Sequence, residues 1–118
     1  MYVKRGHDSV GKRSVDACHD GEGTVFVRQL LGEPGDFDSS MSFMHETTLP
    51  PGTTIGEHLH EGNEELYYII DGRGEMNVDG KTIMMSPGDV CLTKTGSTHQ
   101  LTNVGDTDLR IVVVEAKN

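Results

Sequence analysis

Two histidines and several glutamates lie close together between Pro51 and Glu65, and side chains of these types could bind a metal ion. His58 and His60 are two residues apart, and on a β-strand that spacing places both side chains on one face, about 6.7 Å apart. A glutamate that follows the bend at Gly62 could add an oxygen ligand. Neutral imidazole plus carboxylate suits iron, manganese, nickel, zinc or copper and does not fit a calcium or magnesium site. A His-x-His pair alone, however, is better explained as two exposed histidines in an acidic loop.

The adjacent residues Glu64 and Glu65 compete for the oxygen-ligand position, because only one of them can point inward. Consecutive side chains on a strand take opposite faces, so the choice of ligand also decides which side chains line the cavity. With Glu65 inside, Tyr67 and Ile69 follow it inward. With Glu64 inside, the lining residues are instead Leu66, Tyr68 and Ile70. Both patterns are apolar enough to pack, so hydrophobicity does not decide between them.

The rest of the chain has the pattern of short β-strands separated by turns, without a helix. Fifteen glycines among 118 residues are about twice the usual share, and no segment has helical apolar spacing over ten or more residues. Asp79-Gly80 between two alternating runs predicts a tight hairpin. Nine strands are predicted, one through the His-x-His segment and the others at Thr24–Leu31, Met41–Leu49, Glu65–Asp71, Glu75–Val78, Lys81–Met85, Val90–Thr93, Thr98–Asn103 and Leu109–Glu115. This pattern favours a single all-β barrel.

Length and charge limit the organisation of the chain and its partners. The length allows one domain, with residues 24–118 as the barrel and the polar residues 1–23 as an N-terminal arm on the barrel or on a dimer partner. The net charge of −9 disfavours nucleic acid as a partner. The basic side chains of the arm are expected to lie against an acidic surface. No apolar run is long enough for a membrane span or a signal peptide, and Cys18 and Cys91 are expected to be reduced thiols of a cytoplasmic protein.

The His-x-His segment resembles the first motif of the cupin superfamily, in which glycine, His-x-His, glutamate and glycine follow one another at fixed intervals. These positions are filled by Gly52, His58, His60, Glu65 and Gly72. The second cupin motif is matched by Gly88, Gly96, His99 and Asn103. Lys94 stands where the motif has proline, a departure that affects a turn and no ligand. The two motifs together cover residues 52–103.

The resemblance implies an all-β, double-stranded β-helix (jelly-roll) barrel with one divalent transition-metal ion at its mouth. The implied ligands are His58, His60, Glu65 and His99, and the interval from His60 favours Glu65 over Glu64. On an octahedral ion, four protein ligands leave two positions open for water, substrate or dioxygen. Cupins also pair their barrels through N-terminal segments, so the resemblance implies a homodimer.

Several other side chains are candidates for the cavity. Tyr67 and Ile69 share the face of Glu65 and are expected to line it, whereas the position of His45 depends on an unknown register. His7 and His19 are expected to be surface residues, and no residue is identified as a general acid or base. The predicted function is a metal-dependent dioxygenase, decarboxylase, lyase or isomerase acting on a small oxygenated molecule, with the metal as Lewis acid and template. The alternative is a non-catalytic module that binds or senses a small molecule.

Overall fold

Ten β-strands and two short 3₁₀ turns make up the fold in a computed structural model that describes all residues 1–118. The 3₁₀ turns span His7–Ser9 and Cys18–Asp20. The strands are β1 (Arg13–Asp16), β2 (Thr24–Leu31), β3 (Met41–Leu49), β4 (Thr54–Leu59), β5 (Asn63–Asp71), β6 (Gly74–Val78), β7 (Lys81–Met85), β8 (Val90–Thr93), β9 (Thr98–Asn103) and β10 (Leu109–Lys117). No helix in the structure has the length and apolar character needed to cross a bilayer.

The strands form two antiparallel sheets, in which many neighbouring strands are distant in sequence. One sheet has the order β1-β2-β3-β10-β5-β8, and the other has the order β4-β9-β6-β7. Side chains from both sheets share one apolar core, which contains Leu49, Ile69, Met76, Leu101 and Ile111. The predicted all-β jelly-roll barrel is therefore confirmed.

Strict alternation along β5 decides which glutamate faces the interior. Glu65, Tyr67 and Ile69 are buried, whereas Tyr68 is exposed on the outer face. Ile69 lies deep in the apolar core, next to Ile111 across the β5–β10 ladder. The inner face of β5 thus carries one carboxylate and one phenol near the mouth of the barrel and apolar side chains below them.

Two turns of the barrel depend on glycine. The predicted hairpin joins β6 to β7 through Asp79 and Gly80, whose φ angles of 51° and 81° fit a type I′ turn. Gly72 ends β5 with a φ of 87°, and a Cβ atom there would lie 2.5 Å from the carbonyl oxygen of Asp108. No other residue fits at Gly72 without displacing that backbone.

The N-terminal segment contains a strand that the sequence pattern did not predict. Residues 13–16 form β1, an edge strand that pairs with β2. The chain then turns onto β4, where Gly21 and Gly56 meet so closely that a Cβ atom on Gly21 would lie 2.0 Å from the carbonyl oxygen of Thr54. Residues 13–22 therefore pack on the barrel of their own chain.

Candidate metal centre

Four side chains from three strand ends meet at the mouth of the barrel. His58 lies on β4 and faces His99 of β9 in the β4–β9 ladder, Glu65 lies on β5, and His60 follows directly after β4 instead of lying on it. The Nε2 atom of His99 is 2.9 Å from the Nε2 atoms of both His58 and His60. Glu65 Oε1 is 3.2 Å from Nε2 of His99, 3.4 Å from that of His60 and 4.0 Å from that of His58. The structure thus brings the four predicted ligands together.

Each of the three imidazoles has an oxygen partner for its other ring nitrogen. The Nδ1 atom lies 2.7 Å from the Gly56 carbonyl oxygen in His58, 2.6 Å from the amide oxygen of Asn63 in His60, and 2.8 Å from the hydroxyl of Thr93 in His99. Because the first two oxygens only accept, Nδ1 carries the proton in His58 and His60, and the Thr93 hydroxyl can accept a hydrogen bond from Nδ1 of His99 in the same way. With these tautomers, all three Nε2 lone pairs face one point beside the Glu65 carboxylate.

The donor set fits a transition-metal ion. Lone pairs and a carboxylate at these separations repel one another unless a cation lies between them. Neighbouring ligands of an octahedral ion with metal–nitrogen bonds of about 2.1 Å lie about 3.0 Å apart, close to the separations from His99. Burial lowers the pKa of His58 to about 4, so its imidazole is neutral at pH 7. The four side chains form a potential metal site with oxygen partners that orient its histidines.

A cavity of about 480 Å³ adjoins the four side chains and extends between the N-terminal segment and the large sheet. Tyr67 and His45, both predicted for the cavity, line it, with the ring of His45 stacked on Phe43 and its Nε2 atom 3.0 Å from Gln29 Oε1. Ile69 does not line it, so that prediction was wrong. Side-chain alternation gives the face of a residue and not its depth, and Ile69 lies below Tyr67, in the core.

The N-terminal segment supplies cavity residues that sequence reasoning missed. His19 is exposed, as predicted for a surface residue, but its ring also stacks on the ring of His58, with centroids 3.7 Å apart and planes 11° apart, and it lines the cavity. No spacing rule relates residues 19 and 58, because the contact depends on the close approach of Gly21 to Gly56. The other lining residues from this segment are Arg13, Val15 and Cys18.

His45 makes the stability of the barrel depend on pH. Burial, and after it the charge of Arg13, lower the pKa of His45 to about 4, whereas a histidine in an unfolded chain titrates near about 6.5. The unfolded chain binds more protons between these values, so the free energy of unfolding should fall as the pH falls from 6.5 to 4. Thermal midpoints of the chelator-treated protein at pH 7.5 and pH 5 should therefore differ less in His45→Gln than in the wild type. An equal loss in both would contradict this prediction.

Fold and site together define a jelly-roll barrel with a three-histidine, one-glutamate cluster at its mouth. The Cupin domain family matches residues 45–115, and the chain belongs to this family. It is 38% identical over 94 residues to an oxalate-binding protein of Thermotoga maritima, covering 80% of this chain and 77% of that protein. A crystal structure of a predicted oxalate decarboxylase from Thermotoga maritima matches with a TM-score of 0.91 and 31% identity over the whole of both chains. The chain is also 31% identical over 64 residues to a 5-nitrosalicylic acid 1,2-dioxygenase of Bradyrhizobium sp., covering 54% of this chain and 30% of that protein.

Proposed function

We propose that this cupin binds one divalent transition-metal ion and that the ion holds a small oxygenated acid in the cavity. The proposed ligands are His58, His60, Glu65 and His99. The observation that carries the proposal is the convergence of three Nε2 lone pairs and one carboxylate beside a cavity. The name of the relative that binds oxalate supports a chelating carboxylate as the molecule bound.

The protein surrounds such an acid with groups that orient it and exchange protons with it. When bound, the metal ion supplies Lewis-acid polarisation of the oxygens that it holds. Burial beside Glu65 raises the pKa of Glu115, whose Oε1 atom lies 3.8 Å from His60 Nδ1 at the edge of the cavity. Glu115 is the carboxyl group best placed to hold a proton for a reacting ligand. We therefore favour an enzyme of decarboxylase, dioxygenase, lyase or isomerase type.

A non-catalytic binding module is the second candidate. It is favoured by the oxalate-binding relative, whose name describes binding and not turnover. In this case the metal centre and the cavity hold the acid, and Glu115 serves only to shape the rim.

Metal analysis followed by reconstitution tests the proposal. Protein purified without chelator or affinity-tag nickel should retain about one transition-metal ion per chain. Stripped protein reloaded with iron, manganese, nickel or zinc should bind oxalate in calorimetry, and the stripped protein should not. Turnover of oxalate or of a panel of small oxygenated acids under air would establish an enzyme, and binding without turnover would establish the module. Failure to retain or take up any of these ions at micromolar concentration would reject the metal centre.

We also propose that the barrel forms a homodimer through the outer face of its larger sheet. On this face, Tyr68 lies between Val112 and Val90, and Leu66 lies between Val114 and Leu92 in the next row. Three of these apolar side chains are exposed, and contiguous exposed apolar patches mark interaction surfaces. We propose that these two rows, together called the apolar row, bind a second copy of the chain. The N-terminal segment is not proposed as the interface, because it packs on its own barrel.

Light scattering at micromolar concentration and moderate salt should give twice the chain mass for the wild type. Leu92→Glu should give a monomer, because it introduces a charge into the exposed apolar surface next to Leu66. Val104→Glu is the matched control, since Val104 is an exposed apolar residue outside the row. A monomeric wild type, or a dimer that persists in Leu92→Glu, would contradict the proposed interface.

Reduced thiols support a cytoplasmic location, which we propose as well. Cys18 and Cys91 are both free and half-buried, without a disulfide. Unpaired thiols of this kind are usual in reducing compartments.

A further inference from the structure

Arg13 lies at the start of strand β1, where it is exposed to solvent and lines the edge of the cavity. In the β1–β2 ladder Arg13 pairs with Val27 and Val15 pairs with Val25, and both of these valines belong to the apolar core. Since side chains alternate along a strand, Arg13 and Val15 share the face directed at the barrel interior. Arg13 is the only lysine or arginine among the lining residues.

The guanidinium group of Arg13 has no partner within the protein. The chain has nineteen acidic residues and ten lysines and arginines, so carboxylates outnumber cations. Arg5 pairs with Asp36 and Arg110 pairs with Asp71, but Arg13 forms neither a hydrogen bond nor an ion pair. A guanidinium offers five N–H donors in a fork that matches a carboxylate, so an exposed guanidinium without a partner at the edge of a cavity is free to bind an anion from outside the chain.

Apolar side chains make up half of the lining of the cavity that holds both Arg13 and the four-ligand cluster. They include Val25, Val27, Phe43, Ile55 and Val113, which we call the apolar wall. The cavity therefore combines a chelating pole, formed by the four-ligand cluster, with an apolar wall and one cationic side chain. Oxalate has two carboxyl groups and no aliphatic segment, so it would leave the apolar wall without contacts.

We propose that Arg13 is a specificity-determining residue that binds the distal carboxylate of a ligand whose other end chelates the metal ion. The ligand class is a 2-oxo or 2-hydroxy acid with a second carboxylate at the end of a short aliphatic chain. This proposal rests on the proposed function, since the chelating pole requires the metal ion. The apolar wall contacts the chain of the ligand, and its burial adds to the affinity.

Paired probes that differ only in the distal carboxylate test the proposal. The zinc-loaded protein is titrated by calorimetry with 2-oxo dicarboxylates of four, five and six carbons and with 2-oxo monocarboxylates of the same lengths. Zinc is chosen because it has no redox chemistry, so the titration measures binding alone. At least one dicarboxylate should bind about ten to a hundred times more tightly than its matched monocarboxylate, the range for a hydrogen-bonded charged pair.

Two variants with the same change of charge separate a local contact from a general effect of charge. Arg13→Gln should lose the preference for the dicarboxylate while keeping its zinc content and its affinity for the monocarboxylate. Lys12→Gln is the control, because the Lys12 ammonium lies over the ring of Phe26, 5.2 Å from its centroid, and Lys12 does not line the cavity. It should keep the full preference.

The outcomes distinguish this proposal from the proposed function. Equal affinity for every matched pair in the wild type would overturn the role of Arg13 and leave chelation intact. The role of Arg13 would also be overturned if Arg13→Gln kept the preference for the dicarboxylate, or if Lys12→Gln lost that preference to the same extent as Arg13→Gln. If the zinc-loaded protein binds oxalate but no 2-oxo acid, only the ligand class and the role of Arg13 are rejected. If it binds neither, the chelation of small acids is rejected as well.

Discussion

Replacement of Glu65 by Gln should remove the metal ion, whereas the same replacement at Glu64 should leave metal binding unchanged. Glu65 Oε1 lies within 4.0 Å of all three histidine Nε2 atoms, and the side chain is buried. Glutamine keeps the volume of the side chain but removes the negative charge that offsets the ion. Loss of an outer-shell partner already costs about 10- to 100-fold in metal affinity, so loss of this direct ligand should cost more than about 100-fold.

Glu64 is a matched control, because it is the adjacent residue on β5 and its side chain takes the opposite face. The two variants carry the same change of charge, so a general electrostatic effect would weaken metal binding equally in both. Bound zinc per chain after dialysis and zinc affinity by chelator competition give the comparison. Loss of metal in Glu64→Gln with retention in Glu65→Gln would overturn both the ligand assignment and the assigned cavity face.

Alanine at Gly21 or Gly56 should push the N-terminal turn away from β4 and speed the release of metal. A Cβ atom on Gly21 would lie 2.0 Å from the carbonyl oxygen of Thr54, and one on Gly56 would lie 2.0 Å from that of His19. Both clashes are with backbone, which has no rotamer to relieve them. Overpacking of this kind typically costs about 1–3 kcal/mol, and the displaced turn no longer stacks His19 on His58.

Gly11→Ala is the control for these two variants, since a Cβ atom there meets nothing within 4 Å and its φ lies outside the left-handed region. Its thermal midpoint and metal release rate should equal those of the wild type. Gly21→Ala and Gly56→Ala should melt at lower temperature and lose zinc faster to an excess chelator. Wild-type behaviour in both would show that the turn adjusts without affecting His58.

The four-ligand cluster could be predicted because its residues match the two cupin motifs, whereas the spacing of His58 and His60 alone was better explained by two exposed histidines. The motif interval from His60 favoured Glu65 over Glu64, and the alternation of β5 places Glu65 on the inner face. The all-β fold was predictable from local patterns, since short alternating runs and glycine turns recur along the whole chain. Only the four-residue strand β1 was too short and too polar to be recognised.

The residues around the metal centre could not be predicted, because their positions depend on contacts between distant parts of the chain. His19 reaches His58 only where two glycines let their backbones meet. Arg13 lines the cavity because the pairing of β1 with β2 sets it opposite Val27, and the sequence does not specify that register. Ile69 has the right face but lies too deep for the cavity, and depth is set by the packing of both sheets.

The cavity wall formed by Arg13, Val15, Cys18 and His19 comes from a part of the chain that precedes the matched segment 45–115. All four proposed metal ligands come from within that segment. Residues 1–23 and the cupin motifs therefore contribute separately to the cavity and to the four-ligand cluster, and they meet where His19 stacks on His58. A chimera that exchanges residues 1–23 with those of another small cupin, with His19 and Gly21 kept, is expected to alter which small acid the cavity accepts while keeping the same ion. The N-terminal segment is thus the part of the chain whose exchange would change the ligand of the barrel.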